Sequence, residues 1–448
     1  NDLVVEALGR YNPRTLELEG QLAEAWQLDP EGMWLRVLIQ RRARFSDGTP
    51  VTAEDIRFTF HDFLSNPQIE ADRFRAVYTA IKSVEVISDK VVEFTFHKPR
   101  FDNLNSAMRM PITPSHFYKA LTPQQINQST ALLLGSGPYK LERSDPENQW
   151  KPPEDIVLVR NDLYWGPRPV LPRIRIKAIS DSLARLTTFT NGMSDMIRPT
   201  PQQFALKVED DSFKRYAEAH SWYNMQGGWA FIAWQNGLRA GKALTPFADR
   251  RVRLAMTHLI DRELIVRDIY KNISRVANGP FNTETQQADP EIKPWPYDLS
   301  KARELLREAG WVDRNNDGVL DNEKGDRFVF QLTYAQGSDA TLQMVTYVKD
   351  QCAKVGIVCN LNPIDWSILD TLLKARDFDA ITFAWSSSAP ESDPRQLFHS
   401  SSIAGTGDNF VQWSNPAADA LIDQGVETID YKARMKIWNQ LHRIIHDE

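Results

Sequence analysis

Between Phe328 and Arg376 the chain alternates short apolar runs with longer amphipathic stretches, and this alternation limits the fold more than any other feature. Residues 328–334, 356–361 and 378–384 carry β-branched and aromatic side chains at strand length, whereas 340–355 and 367–376 are long enough for helices. Strand, helix and strand in repetition is the βαβ pattern, so this part is expected to form a parallel sheet covered by helices. Two amphipathic helices precede it. Pro246 and Asp249 open one whose buried stripe is Val252, Ala255, Met256, Leu259 and Ile260, and Asp298 or Ser300 caps the other through Ala302, Leu305, Leu306 and Ala309 to Gly310.

The first third has a different rhythm. Met33, Leu35, Val37 and Ile39 fall on one face of a strand. Thr52 and Asp55 form a capping box ahead of Ile56, Phe60, Phe63 and Leu64 at helical spacing, and residues 84–87 and 91–96 flank Ser88-Asp89-Lys90 as a hairpin. This block is α+β. Residues 156–160 and 173–177 add two strands, the second with Arg173, Arg175 and Lys177 on its outer face. At the end, Tyr431, Met435, Trp438, Leu441 and Ile445 make a helical stripe.

A chain of 448 residues is expected to hold more than one core. No apolar run approaches the roughly 18 residues of a membrane span, and a net charge of −6 offers no basic field for nucleic acid. Thirteen Trp, 21 Phe and 12 Tyr are enough to line an apolar pocket, although cores absorb most such rings. Cys352 and Cys359 lie between a helix end and a strand, as a local disulfide or as two buried thiols. Any export signal is expected to have been removed or to lie outside this sequence.

Local signatures of catalysis are missing from the sequence. The eight histidines include no HExxH pair; His442 and His446, four apart, read as a solvated helix face. There is no G-x-S-x-G elbow, and Gly135-Ser136-Gly137-Pro138-Tyr139 lacks the lysine and spacing of a phosphate loop, so it reads as a strand entry. The nearest metal pattern is Asp313, Asn315, Asp317 and Asp321 with Gly318 at the turn, the front half of a calcium loop; position 12 is Lys324. An Asx-rich turn is the expectation there, with structural calcium as the alternative and no other cofactor.

Several motifs then converge on one family. Residues 20–26 (GQLAEAW), 45–55 (FSDGTPVTAED), 135–140 (GSGPYK), 161–166 (NDLYWG), 246–253 (PFADRRVR) and the segment 297–310 resemble, in order, the family 5 extracellular solute-binding proteins. That family includes the oligopeptide-, dipeptide- and nickel-binding receptors of ABC importers. The resemblance implies an α/β fold with an α+β insertion, the two-lobed periplasmic-binding-protein type II-like fold with an extra small domain, truncated at both ends. It divides the chain into a small extra domain over 1–134, an incomplete lobe 1 over 135–240 and lobe 2 over 241–448. It also implies a non-catalytic monomer in the periplasm or otherwise outside the cytoplasm, soluble or lipid-anchored. Such a receptor traps a peptide or peptide-like ligand between its lobes and delivers it to an inner-membrane ABC permease.

By the same resemblance Trp385 and Trp366 match cleft-facing positions and Asn409 matches a residue near the ligand, while Phe231, Trp234 and Asn236 lie where the chain crosses toward the second lobe. Peptide-binding members carry Trp followed three residues later by an Asp that holds the ligand's ammonium; here Trp385 is followed by Ser388. A hydroxyl supplies no countercharge. Either an acid such as Glu391 or Asp393 takes over, or the ligand has no free amino terminus. A neutral ligand such as an oligosaccharide, a sensor role and, more remotely, a carboxylate hydrolase are the alternatives.

Overall fold

In the computed structural model, which describes residues 3–71, 75, 77–222, 228–386, 389–405 and 407–448, the chain divides into two compact units. The first holds Asn1–Ala178 with Val426–Tyr431, the second Ile179–Gly425 with Lys432–Glu448.

The first unit opens with the pair β1 (Gly9–Tyr11) and β2 (Leu18–Gly20). An antiparallel sheet follows, built from β3 (Ala23–Leu28), β4 (Trp34–Ile39), β5 (Ile81–Ser88) and β6 (Val91–Phe96) in the order β3-β4-β6-β5. The alternation in β4 works as read: Leu35, Val37 and Ile39 are fully buried, and Arg36 on the opposite face meets Glu93 of β6 at 2.6 Å. Helix α1 (Ala53–Phe58) begins at the expected box, where the Thr52 N–H donates to Asp55 Oδ2 at 2.8 Å. The other Asp55 oxygen accepts from the N–H and hydroxyl of Ser115, both at 2.8 Å, so one carboxylate fixes two segments. The helix widens into a π-helical turn over Thr59–Leu64, which keeps Phe60, Phe63 and Leu64 buried beside Ile56.

A three-stranded sheet completes this unit: β7 (Tyr139–Leu141), β8 (Ile156–Arg160) and β9 (Arg173–Ile176). The strand entry at Gly135–Tyr139 is a close backbone crossing. A Cβ on Gly135 would fall 2.1 Å from the Val4 carbonyl oxygen and one on Gly137 2.5 Å from that of Leu3, while the Gly137 N–H donates to Val4 at 2.9 Å. The clean inside-outside pattern expected of β9 is only half present. Ile174 packs against the cluster around Leu158, but Ile176 is 49% exposed.

The second unit is organised by a mixed sheet of β10 (Trp229–Trp234), β11 (Val329–Ala335), β12 (Val358–Ile364) and β13 (Ala380–Trp385), in the order β10-β13-β11-β12. Strands β12 and β13 both run parallel to β11, as the βαβ pattern requires, and β10 joins β13 antiparallel. Helices α2 (Arg250–Leu259) and α3 (Leu299–Glu308) pack on each other, with Asp249 and Asp298 accepting first-turn N–H groups and Gly310 taking φ +88° past the end of α3. The crossovers are α4 (Asp339–Ala353) and α5 (Trp366–Ala375). Val252, Ala255, Met256, Leu259, Leu306, Phe328, Phe330 and Val348 form one core, each large side chain contributing about 1.5–3 kcal/mol by burial.

Two further helices are α6 (Pro416–Glu427) and α7 (Tyr431–Asp447). Trp438 of α7 is fully buried against α6, where a Cβ on Gly425 would approach its ring to 2.4 Å. The solvated reading of α7 fails at His442, which is fully buried. Its Nδ1 accepts from the Asp289 N–H at 2.9 Å, so Nε2 carries the proton and donates to the Asn278 carbonyl at 3.2 Å. His446 stacks on Trp295 with centroids 4.8 Å apart.

Candidate functional site

Alternation along β10 and β13 places Trp229, Phe231 and Ala233 on the same sheet face as Trp385, Phe383 and Ile381, and the register pairs them in that order. On this face the Phe231 and Phe383 centroids are 4.6 Å apart, Trp229 lies 4.4 Å from Phe231, and Phe383 meets Trp385 edge-on at 5.2 Å. Phe410, arriving from a loop, stacks on Trp385 at 6.0 Å with an interplanar angle of 18°. The inner end of the cluster is sealed by Leu369 and Leu373 of α5 and by Phe378, while Trp229, Phe231, Phe383 and Trp385 stay half-buried. Their rings therefore offer an apolar, π-rich surface to solvent.

That surface sits at the carboxyl edge of the parallel strands. Ala335, Ile364 and Trp385 end β11, β12 and β13, and all three border the aromatic cluster. In open α/β sheets ligands bind outside this edge, because the loops that leave it are free to vary while the strands hold them in place. Trp366 stands at the first turn of α5, two residues past Ile364, with 66% of its surface exposed. Its indole faces water at that edge. Opposite Trp385, Gly228 enters β10 so closely that a Cβ there would fall 1.4 Å from the Trp385 carbonyl oxygen.

The remaining expected residues divide. Trp234 points to the other sheet face, tilted against Phe247 at 4.7 Å and edge-on to Phe330, and packs half-buried against the core. Asn409 is fully buried: its amide donates to the His399 and Trp413 carbonyls at 3.2 and 2.8 Å, and its Oδ1 accepts from the Trp413 N–H at 3.1 Å. It shapes the loop that carries Phe410. Asn236 likewise ties β10 to that loop, its N–H donating to Val411 at 2.9 Å and its amide to Trp234 and Val411, with Oδ1 buried and unmatched. Ser388 lies outside the described residues. Trp229, Phe383 and Phe410 were not anticipated; the period-two pattern shared by WAFIAW and AITFAW was the available signal for the first two.

Glu391, a candidate countercharge for a ligand ammonium, is already committed. Its oxygens pair with Arg434 Nε and Nη2 at 2.6 and 2.9 Å, and Oε1 also accepts from Trp438 Nε1 at 2.8 Å. Asp393 accepts from the Arg395 N–H at 2.8 Å.

In the loop around Asp317 the acidic side chains serve the backbone. Asp313 accepts from the Asp317 and Gly318 N–H groups at 3.1 and 2.9 Å, and Asn315 accepts from Asp317 at 3.0 Å. Asp317 accepts from Val319 at 2.9 Å and from Arg327 Nη2 at 3.0 Å. Asp321 is buried and joined to Val312 through paired backbone bonds. This is the Asx-rich turn, with Asn316 and Gly318 at positive φ. Among the described residues no three His, Cys, Asp or Glu side chains converge as a metal set.

Comparison with known proteins bears on the fold and the family. The oligopeptide-binding protein AppA of Bacillus subtilis is 28% identical over 443 residues, which cover 97% of this chain and 77% of AppA. The structure of AppA in complex with a nonapeptide superposes with a TM-score of 0.85 at 26% identity, covering 100% of this chain and 85% of that one. NikZ from Campylobacter jejuni in complex with Ni(L-His) shares the fold at a TM-score of 0.81 and 20% identity, over 100% of this chain and 85% of that one. The mixed α/β fold is thus that of the periplasmic binding proteins, as expected. The family model for bacterial extracellular solute-binding proteins, family 5 Middle, matches residues 17–405, most of the sequence, and the chain belongs to that family.

Proposed function

We propose that the protein is the peptide-capturing receptor of a bacterial ABC importer, with the aromatic face of β10 and β13 as its ligand platform. The observation that carries this reading is the half-buried set of Trp229, Phe231, Phe383 and Trp385 at the carboxyl edge of the sheet, in a chain related along 97% of its length to an oligopeptide-binding protein. Rings in this setting give apolar contact without demanding one side-chain sequence, which suits a receptor for varied peptides. Trp366 borders the same edge.

The proposal includes a permease as partner, a monomeric receptor, work outside the cytoplasm in soluble or lipid-held form, and release of the ligand unchanged. It retains the segments 1–134, 135–240 and 241–448 as functional divisions, with β10, near the end of the second, lent to the sheet of the third. No helix among the described residues is long and apolar enough to cross a membrane.

A thermal-shift screen with a random nonapeptide library tests it. A ligand at a hundred times its Kd adds about 2.7 kcal/mol, which raises Tm by roughly 5–10 °C for a unit of this size. Peptides recovered intact after incubation support the non-catalytic role. A folded protein that ignores the whole library, or one that cleaves its peptides, defeats the reading.

A further inference from the structure

Cys352 lies in the last turn of α4 and Cys359 is the second residue of β12. The turn between them folds the strand back beside the helix end. Gly356 takes φ +82°, the Ile357 N–H donates to the Cys352 carbonyl at 3.0 Å, and the Gly356 N–H donates to Ala353 at 3.2 Å, the paired bonds of a Schellman motif. Both side chains enter one core with Val348, Val355, Ile357 and Phe330, at 1% and 3% exposure. The neighbouring Cys359 thiol, followed by burial, pushes Cys352 well above the ordinary thiol range. Both are free thiols in the structure.

We propose that Cys352 and Cys359 close as an intrachain disulfide during folding in an oxidising compartment, clipping α4 to β12 across the Gly356 turn. The setting rests on the extracytoplasmic reading given above; the chemistry does not. The oxidant is an external disulfide, RSSR. One cysteine thiolate attacks an RSSR sulfur and expels RS⁻, forming a mixed disulfide. The second thiolate attacks the protein sulfur of that intermediate and expels the other RS⁻. Two protein thiols are oxidised to one disulfide, RSSR is reduced to two RSH, and the protons lost by the cysteines end on the released thiols.

Burial fixes the order of events. Once α4 has packed, little thiolate forms and no external disulfide reaches either sulfur, so closure precedes packing. The native core then protects whichever redox state it enclosed.

The test uses the reduced, denatured full chain, refolded with a glutathione and glutathione disulfide mixture. The fraction with native circular dichroism is unfolded and alkylated with iodoacetamide, without and with prior reduction, and its intact mass is measured. The expected result is no adduct without reductant and two with it. Two adducts without reductant, one adduct, or a disulfide-linked dimer overturns the proposal. Protein already folded in the reduced state is expected to keep both thiols for hours in the same mixture, and rapid closure there overturns the order assigned to folding. A chain that binds peptides yet refolds with two free thiols defeats the clip alone; a clipped chain that ignores peptides defeats the receptor reading alone.

Discussion

Replacing Glu391 with Gln separates stability from ligand recognition. The Arg434 side chain is 7% exposed and that of Glu391 15%, and they meet through two bonds of 2.6 and 2.9 Å within one unit. Glutamine keeps the shape and an oxygen for the Trp438 N–H, but it removes the charge facing a buried guanidinium. Stranding a buried charge in this way costs about 3–5 kcal/mol. For a unit of this size each kcal/mol lowers Tm by about 2–4 °C, so E391Q is expected to lose roughly 6–20 °C. The double variant E391Q/R434M recovers part of the loss, because the pair is then removed together, and a double-mutant cycle measures the coupling. Differential scanning calorimetry reads the stability, and isothermal titration with a library-selected nonapeptide reads the affinity well below the new Tm. The affinity is expected to stay within about tenfold of wild type, a change of at most about 1.4 kcal/mol. An unchanged Tm together with a hundredfold loss of affinity would refute the reasoning, since Glu391 would then be holding the ligand and not α7.

Trp366→Ala, which removes an indole 66% exposed, is expected to leave Tm within about 2 °C while weakening peptide binding; Trp234→Ala, packed against the core, is expected to cost about 3–5 kcal/mol, and reversal of this contrast in paired calorimetry and titration would reassign both rings. Gly228→Ala forces a contact with the Trp385 carbonyl and is expected to weaken peptide binding more than it lowers Tm; equal binding by fluorescence titration would show that the strand yields without disturbing Trp385. Burial holds the His442 pKa below its ordinary 6.5, so its stabilising effect is fully present above that pH and is lost as pH falls toward the folded value. Glu6, raised above 4.5 by burial despite bonds from Trp165 and Tyr164, acts in the opposite sense, its contribution fading as pH rises through its folded value. Hydrogen exchange should therefore show amides around Asp289 losing protection as pH falls below 6.5 and those around Tyr164 gaining it as pH falls to 4.5, and a common slope would sink both assignments.

The elements were legible where backbone and side-chain periodicity coincide. Leu35, Val37 and Ile39, the Thr52 and Asp55 box, and the parallel order of β11, β12 and β13 all follow from patterns within a few residues of each other. What stayed hidden depends on partners distant in sequence. On α7, Arg434, Trp438 and His442 recur every four residues and are all buried, but hydropathy recognises only the tryptophan. The other two are tolerated because Glu391 and the backbone at Asn278 and Asp289 meet them, and a single sequence carries no sign of those meetings.

The same limit governs the candidate site. Resemblance offered Trp385 and Trp366, and alternation carried an unread signal for Trp229 and Phe383, while Asn409, Asn236 and Trp234, offered on the same ground, bond or pack within the scaffold. Glu391 is the instructive case, because the sequence offers it as a free acid close to Ser388 while the fold spends it on Arg434. The countercharge that a peptide ammonium would need is therefore not supplied by that residue. Recognition through rings predicts that acetylating the amino terminus of a bound nonapeptide raises Kd by less than about tenfold. Titration of matched free and acetylated peptides decides the point: a loss of a thousandfold would mean that another carboxylate faces the ligand's ammonium and that the site discriminates by charge.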